Sequence, residues 1–400
     1  PGVGPFSIPL VLGPAGTSVG TLSASSVSIA AGQYYAQAQF TPANAGTATV
    51  SIAQPSGFTT PSSPTNVQVS YTVIAQPINV GGSATLGQSL QSNTEFYLSA
   101  APPAGTASVP VTVAVNSGGT NCNGCLLIAS SATDTGSASL TYNLTSNFTS
   151  GRTIYLNGVA TGTTSLMVSA PGYATATIAV TVYNSGFIIV GGSSSVGTFA
   201  GPQAFTVYTS TLNAAGNPLL NEQPVRPGVG PFSIPLVLGP AGTSVGTLSA
   251  SSVSIAAGQY YAQAQFTPQA VGAATVSITQ PSGFTTPSSP TNVQISYTVV
   301  VPAINVSSSL TVAAGSSANI NVYLSEVPPN SVAITLTVAS PGTALLSTTA
   351  TGNGSSTLSI PNVNSVGAQS FYVQGVTAGT TLITVTAPGF ADATIAVTVH

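Results

Sequence analysis

At 400 residues the chain is long enough for three or four domains of about 100–150 residues each, so burying a core is no difficulty. Only 2% of its residues are charged, against roughly 25% in an ordinary soluble domain, and lysine is absent; the two cations are Arg152 and Arg226. Two cations cannot neutralise a run of phosphates, which excludes DNA and RNA as partners, and solubility rests on Ser, Thr, Asn, Gln and backbone.

Apolar residues make up 43% of the chain but come in short runs, such as LLI at 126–128 and FIIV at 187–190. None approaches the ~18–20 residues of a membrane-spanning helix, so no membrane span is expected in this segment. The chain opens on Pro1 without an initiator Met, a basic leader or a signal peptide. It reads as an internal or processed piece whose secretion signal and anchor lie elsewhere.

In the opening block Phe6, Ile8, Leu10 and Leu12 alternate onto one face, the period of a half-buried strand. Short runs of this kind, rich in Val, Ile, Thr and Tyr, continue along the whole chain between clusters of Gly, Pro, Asn and Ser. With 42 glycines and 30 prolines, little room is left for helices. Tyr34 and Tyr35 fall at adjacent strand positions, one ring to each face, so core packing with one exposed ring is expected; an exposed ring is a candidate surface for stacking on glycans. The same applies to their copies, Tyr260 and Tyr261.

Cys122 and Cys125 form a CNGC motif. A zinc site wants four ligands and no further cysteine exists, and a redox CxxC sits at a helix N-terminus in another kind of fold. A small loop disulfide in an oxidising extracellular space, or two free thiols, are the remaining readings. Four Asn-x-Ser/Thr sequons, at Asn143, Asn147, Asn305 and Asn353, are candidate N-glycosylation sites in a host with that machinery. In the strand after the first two of them, Ile178, Val180 and Val182 face one way and Thr177, Ala179 and Thr181 the other.

The sequence then repeats. Residues 1–42 recur unchanged at 227–268, an offset of 226, and 49–74 returns as 275–300 with few changes. INV at 78–80 matches INV at 304–306, and PGYATATIAVTVY at 171–183 matches PGFADATIAVTVH at 388–400, now at an offset of 217. A weaker likeness inside each long repeat, AGTATVSIAQPSGF at 45–58 against AGTTLITVTAPGF at 378–390, splits it into two related modules. The expected modules are 1–75, 77–183, 187–301 and 303–400. Their joints are too short for flexible spacers, and Pro77 and Pro302 stiffen two of them, so a semi-rigid rod is expected.

About seven strands in ~100 residues is the scale of an immunoglobulin-like β-sandwich. The ending TAGTTLITVTAPGF at 377–390 followed by ATIAVTV at 393–399 resembles the bacterial immunoglobulin-like (BIG-type) tandem repeats of giant surface adhesins and extracellular fibres. The resemblance covers about the last 25 residues of a module. It implies an all-β fold of tandem immunoglobulin-like sandwiches in an extracellular, cell-surface stalk or filament, and it brings no catalytic residues with it.

The stretch 187–226, with the strand-like FIIV and AFTVYTSTL, precedes the second copy of the block but has no counterpart before the first. The first module therefore lacks strands and carries an open edge. Either it belongs to a longer array, or another subunit supplies the missing strands and a fibre grows by strand addition.

Groups able to do chemistry are nearly missing. His400 is the sole histidine, at a strand end, and the acids Glu95, Asp134, Glu222, Glu326 and Asp392 stand apart in sequence. No catalytic, metal or cofactor site is expected. Without lysine, isopeptide cross-links of the Lys-to-Asn or Lys-to-Asp type cannot brace the chain. The leading functional reading is thus a structural filament or stalk whose partner is itself, as a homopolymer or covalent array. A carbohydrate-binding or adhesive module is the alternative.

So few titrating groups make stability nearly independent of pH. The melting temperature is expected to change by no more than a few degrees between pH 7 and pH 2; calorimetric scans showing a collapse over that range contradict this.

Overall fold

The computed structural model describes residues 4–101, 107–116, 122, 124–145, 150–192, 194–219 and 222–400. Among them the protein is all-β. The helical pieces are four 3-10 turns, Pro14–Ser18, Pro64–Asn66, Pro240–Ser244 and Pro290–Asn292. Each opens on proline, whose fixed φ suits a first helical position. The last two repeat the first two at the 226-residue offset, as identical local sequence requires.

The chain forms two compact units: residues 1–183 with 223–229, and residues 184–222 with 230–400. Of the strand Ala176–Val190, residues 176–183 belong to the first unit and residues 184–190 to the second. Its first half pairs with Gly162–Ser169 and, in parallel, with Ala84–Gly87; residues 184–190 pair with Gln203–Leu212. Val180 and Val182 are buried and Thr177 and Ala179 exposed, so the alternation in the sequence marks the core face correctly.

In the first unit, residues 78–182 enclose one core between two curled sheets. The sheet containing Gln91–Leu98 and Arg152–Gly158 contributes Phe96, Leu98, Ile154 and Leu156; the facing sheet contributes Val111, Val113, Leu166 and Val180. Residues 223–229 are tied onto this body. Val225 bridges Leu90, the Gln91 N–H donates to the Pro224 carbonyl at 2.8 Å, and the Arg226 N–H donates to the Ser89 carbonyl at 3.0 Å. The buried Gln223 amide acts like a piece of strand: its Oε1 accepts from the Gly87 N–H and its Nε2 donates to the Thr85 carbonyl, both at 2.9 Å. Nearby, Asn157 accepts from Gln91 Nε2 at 2.9 Å and donates to the carbonyls of Asp134 and Thr135. Satisfied in this way, buried amides do not carry the cost of unpaired polar groups.

In the second unit, residues 304–399 build a like core from a four-stranded and a five-stranded sheet, around Phe371, Ile383, Val385 and Ile395. Residues 184–300 of this unit form the other body, with Phe187, Phe205, Phe266 and Tyr297 fully buried. Glu326 joins the two bodies. Its Oε1 accepts from the Gly197 N–H at 2.9 Å and its Oε2 from the Phe199 N–H at 3.1 Å, while the Phe199 ring meets Phe390 edge-on at 5.4 Å. Hydrogen bonds to a charged acceptor contribute about 1.5–3 kcal/mol each. The other four carboxylates, of Glu95, Asp134, Glu222 and Asp392, belong to exposed residues.

Candidate functional site: an open groove in the first copy of the block

Two stretches of near-identical sequence in different surroundings provide an internal control. In the second unit the block that starts at Phe232 is closed on three sides by residues 185–212. The strand Gln203–Leu212 pairs antiparallel with Tyr261–Pro268, from Gln203 opposite Phe266 to Tyr208 opposite Tyr261. Ser194–Gly197 adds in parallel to the edge of Gln294–Val300. At the mouth, Phe187 is gripped by a glutamine: its N–H donates to Gln280 Oε1 at 2.7 Å, and Gln280 Nε2 donates to its carbonyl at 2.8 Å. The Thr285 N–H donates to the Ser185 carbonyl at 2.8 Å. The Phe187 ring lies 4.5 Å from Phe284 and 6.2 Å from Phe232, which themselves meet at 4.7 Å.

The first copy keeps the receiving half of this arrangement. Phe6 and Phe58 stand edge to face at 4.9 Å, the geometry of Phe232 and Phe284, and Gln54 occupies the place of Gln280. Phe40 stacks on Tyr71 at 4.8 Å as Phe266 stacks on Tyr297 at 4.7 Å. Among the described residues of the first unit, no strand covers this face. Residues 33–39 form no ladder, and the strand there shrinks to Phe40–Pro42. The strand Gln68–Val73 pairs on one side alone, with Gly46–Ile52.

The result is a cleft of about 290 Å³ floored by Leu10, Phe40, Val50, Ile52, Val69 and Tyr71. Tyr71 is 40% exposed where Tyr297 is 1%, and Val69 is 48% exposed where Ile295 is 5%. Full burial of such side chains is worth about 1.5–3 kcal/mol each. An apolar floor beside unpaired strand edges is a template for another strand.

The four tyrosines singled out in the sequence are all exposed. The expected division into one core and one surface ring is corrected. In the first copy Tyr34 and Tyr35 lie outside any strand; in the second the strand starts at Tyr261, at the end of the sheet, beyond the core. There Tyr260 and Tyr261 gather with Tyr208 into a cluster with centroids 5.0–6.3 Å apart. Cys122 and Cys125 are free thiols, with Cys125 Sγ donating to the Cys122 carbonyl at 3.8 Å. Burial, helped by the neighbouring Cys122, pushes the Cys125 thiol up to about 12, which leaves it a poor nucleophile. Asn143, Asn305 and Asn353 are exposed; Asn147 lies outside the described residues. His400 ends the last strand, its N–H donating to the Val312 carbonyl.

Among the described residues no three of His, Cys, Asp or Glu gather as metal ligands, and no helix is long and apolar enough to cross a membrane. Sequence reading missed Gln280, Gln54, Gln223 and Glu326. Glutamine and glutamate carry no pattern of their own, and Gln54 was findable only as the copy of a residue seen gripping a strand.

No protein-family model matches the chain, and no curated protein does. Among solved structures, the adhesin InvE of Yersinia pseudotuberculosis is similar at 13% identity and a TM-score of 0.21, over 54% of this chain and 58% of that one. An elastase-activated Escherichia coli alpha-2-macroglobulin is similar at 11% and 0.20, over 98% of this chain and 41% of that one. A marsupial T cell receptor is similar at 10% and 0.18, over 80% and 99%. The chain thus spans less than two thirds of the length of the first two, and at these scores the likenesses carry no argument.

The control predicts a contrast between equivalent residues. Tyr297→Ala is expected to lower the stability of its body by about 3–5 kcal/mol, as for other large-to-small core changes, and Tyr71→Ala by less than about 1.5 kcal/mol, the range for half-exposed sites. Denaturant unfolding of the two variants measures this, and equal losses contradict it.

Proposed function

We propose that the chain is a structural segment of an extracellular surface filament or stalk, built from tandem immunoglobulin-like modules and joined to its neighbours by strand complementation. The observation that carries the reading is the duplicated block, covered by residues 185–212 in its second copy and left uncovered by the described residues in its first. Near-identical units that accept the same covering strand are what a repeating assembly requires. A surface with 2% charged residues supports the same reading, because neutral Ser/Thr-rich faces approach one another without repulsion. The account has no place for a catalytic group. The two thiols, where oxidised outside the cell, close a four-residue loop at 122–125, and sugars on Asn143, Asn147, Asn305 and Asn353 add cover to a surface poor in charge.

A second reading, an adhesive or glycan-binding module on a repeat stalk, is favoured by the exposed rings of Tyr260 and Tyr261 beside Tyr208. Aromatic faces of this kind stack on sugar rings.

Antibodies raised against the chain, applied to intact source cells and viewed by immunogold electron microscopy, are expected to decorate filaments or a surface layer; label confined to the cell interior contradicts the proposal. A glycan array separates the two readings. Binding lost in Tyr260→Ser/Tyr261→Ser selects the adhesin, and a blank array selects the purely structural role.

A further inference from the structure

We propose that the groove of the first block is a built acceptor for a three-strand segment with the chemistry of residues 185–212: a Phe-led apolar strand, a short strand like Ser194–Gly197, and a third strand of alternating apolar and hydroxyl residues. The inference deepens the reading of the protein as a complementing repeat by naming the receptor residues and the occupant.

The complete copy specifies each contact. A phenylalanine in the role of Phe187 packs against Phe58, with Phe6 on the far side of the cluster; Phe6 and Phe58 already hold the mutual geometry of Phe232 and Phe284. Gln54 then takes the N–H and carbonyl of that phenylalanine, as Gln280 takes those of Phe187. The edge at 71–74 receives a short parallel strand, since residues 297–300 receive Ser194–Gly197; Ile74, now 73% exposed, is the counterpart of Val300. Residues 35–40 receive an antiparallel strand, with Tyr35 in the place of Tyr261 and Phe40 in that of Phe266.

The occupant's ends follow from the same template. Residues 184–190 are the direct continuation of a strand whose first half pairs with Gly162–Ser169. A donor for the first groove is therefore expected to run straight on from a closing strand of the ATIAVTV type, found at 176–182 and again at 393–399. The two blocks in these 400 residues share one segment of the 185–212 kind, and the second block holds it. A swap of that segment between copies fills one groove by emptying another. The occupant is accordingly a second such three-strand segment, borne by a neighbouring stretch of the same repeat type.

The test uses the full 400-residue chain and a synthetic peptide of residues 185–212 carrying a terminal fluorophore, with anisotropy and calorimetry as readouts. One peptide is expected to bind per chain. Affinity is expected to drop at least about tenfold when the peptide carries Phe187→Ser, and likewise when the chain carries Phe58→Ala or Gln54→Ala. Phe58 is half-exposed, so its removal leaves the fold intact, which circular dichroism checks. No saturable binding, or binding indifferent to Phe187→Ser and Phe58→Ala, overturns the inference. Filaments seen on cells alongside such a failure leave the structural role standing and remove only this acceptor.

Discussion

A β-sheet is finished only when its edges are paired and its apolar face is covered, and much of this protein follows from how that requirement is met. Natural edge strands are commonly blunted by lysine, whose charge cannot be buried in a foreign sheet. This chain has no lysine at all. Its edges are protected instead by further strands, as in the second block, or by side-chain amides that imitate strands, as Gln223 does for Gly87 and Thr85 and Gln280 does for Phe187. Among the described residues of the first block neither device is in place, and a near-identical sequence to the one that buries Tyr297 leaves Tyr71 open.

The scarcity of charge and the strand-on-strand construction belong together. Ion pairs fix register and choose partners in most assemblies. With two arginines and five carboxylates, register here has to come from shape and backbone pairing: a ring packed against a pair of rings, and a glutamine that bonds both sides of one residue's backbone. The one carboxylate used in this way, Glu326, ties Gly197 and Phe199 to the last body of the second unit. Its counterpart in the first long repeat is Ala100, in a body where Tyr173 donates its hydroxyl to the Ala100 carbonyl at 2.8 Å instead. The long repeats are thus alike in their strands and different in their fastenings.

Strand period was legible in the sequence because it is a property of neighbours along the chain. The alternation at Phe6, Ile8, Leu10 and Leu12, and at Ile178, Val180 and Val182, marks buried faces without reference to anything distant. The missing cover of the first block was legible too, as a gap in the comparison of the chain with itself. What lay beyond reading is what depends on partners far away in sequence. Gln280 grips a residue 93 positions earlier and Gln223 one 136 positions earlier. The tyrosine pairs failed for a related reason: alternation tells which rings point apart, but not that the sheet stops before either reaches a core.

The most direct measurement of the central claim is amide hydrogen exchange, read by mass spectrometry on the monomeric 400-residue chain. The segments 68–73 and 294–299 are counterparts that differ by Val69 against Ile295, so their peptides are told apart by mass. The account predicts exchange at least about 100-fold faster in 68–73, whose strand is paired on one edge over an uncovered floor, than in 294–299, whose residues 297–299 are paired on both edges and whose inward face is buried. Equal protection of the two segments contradicts it, since the covering strands then contribute nothing to the stability of the block they cover.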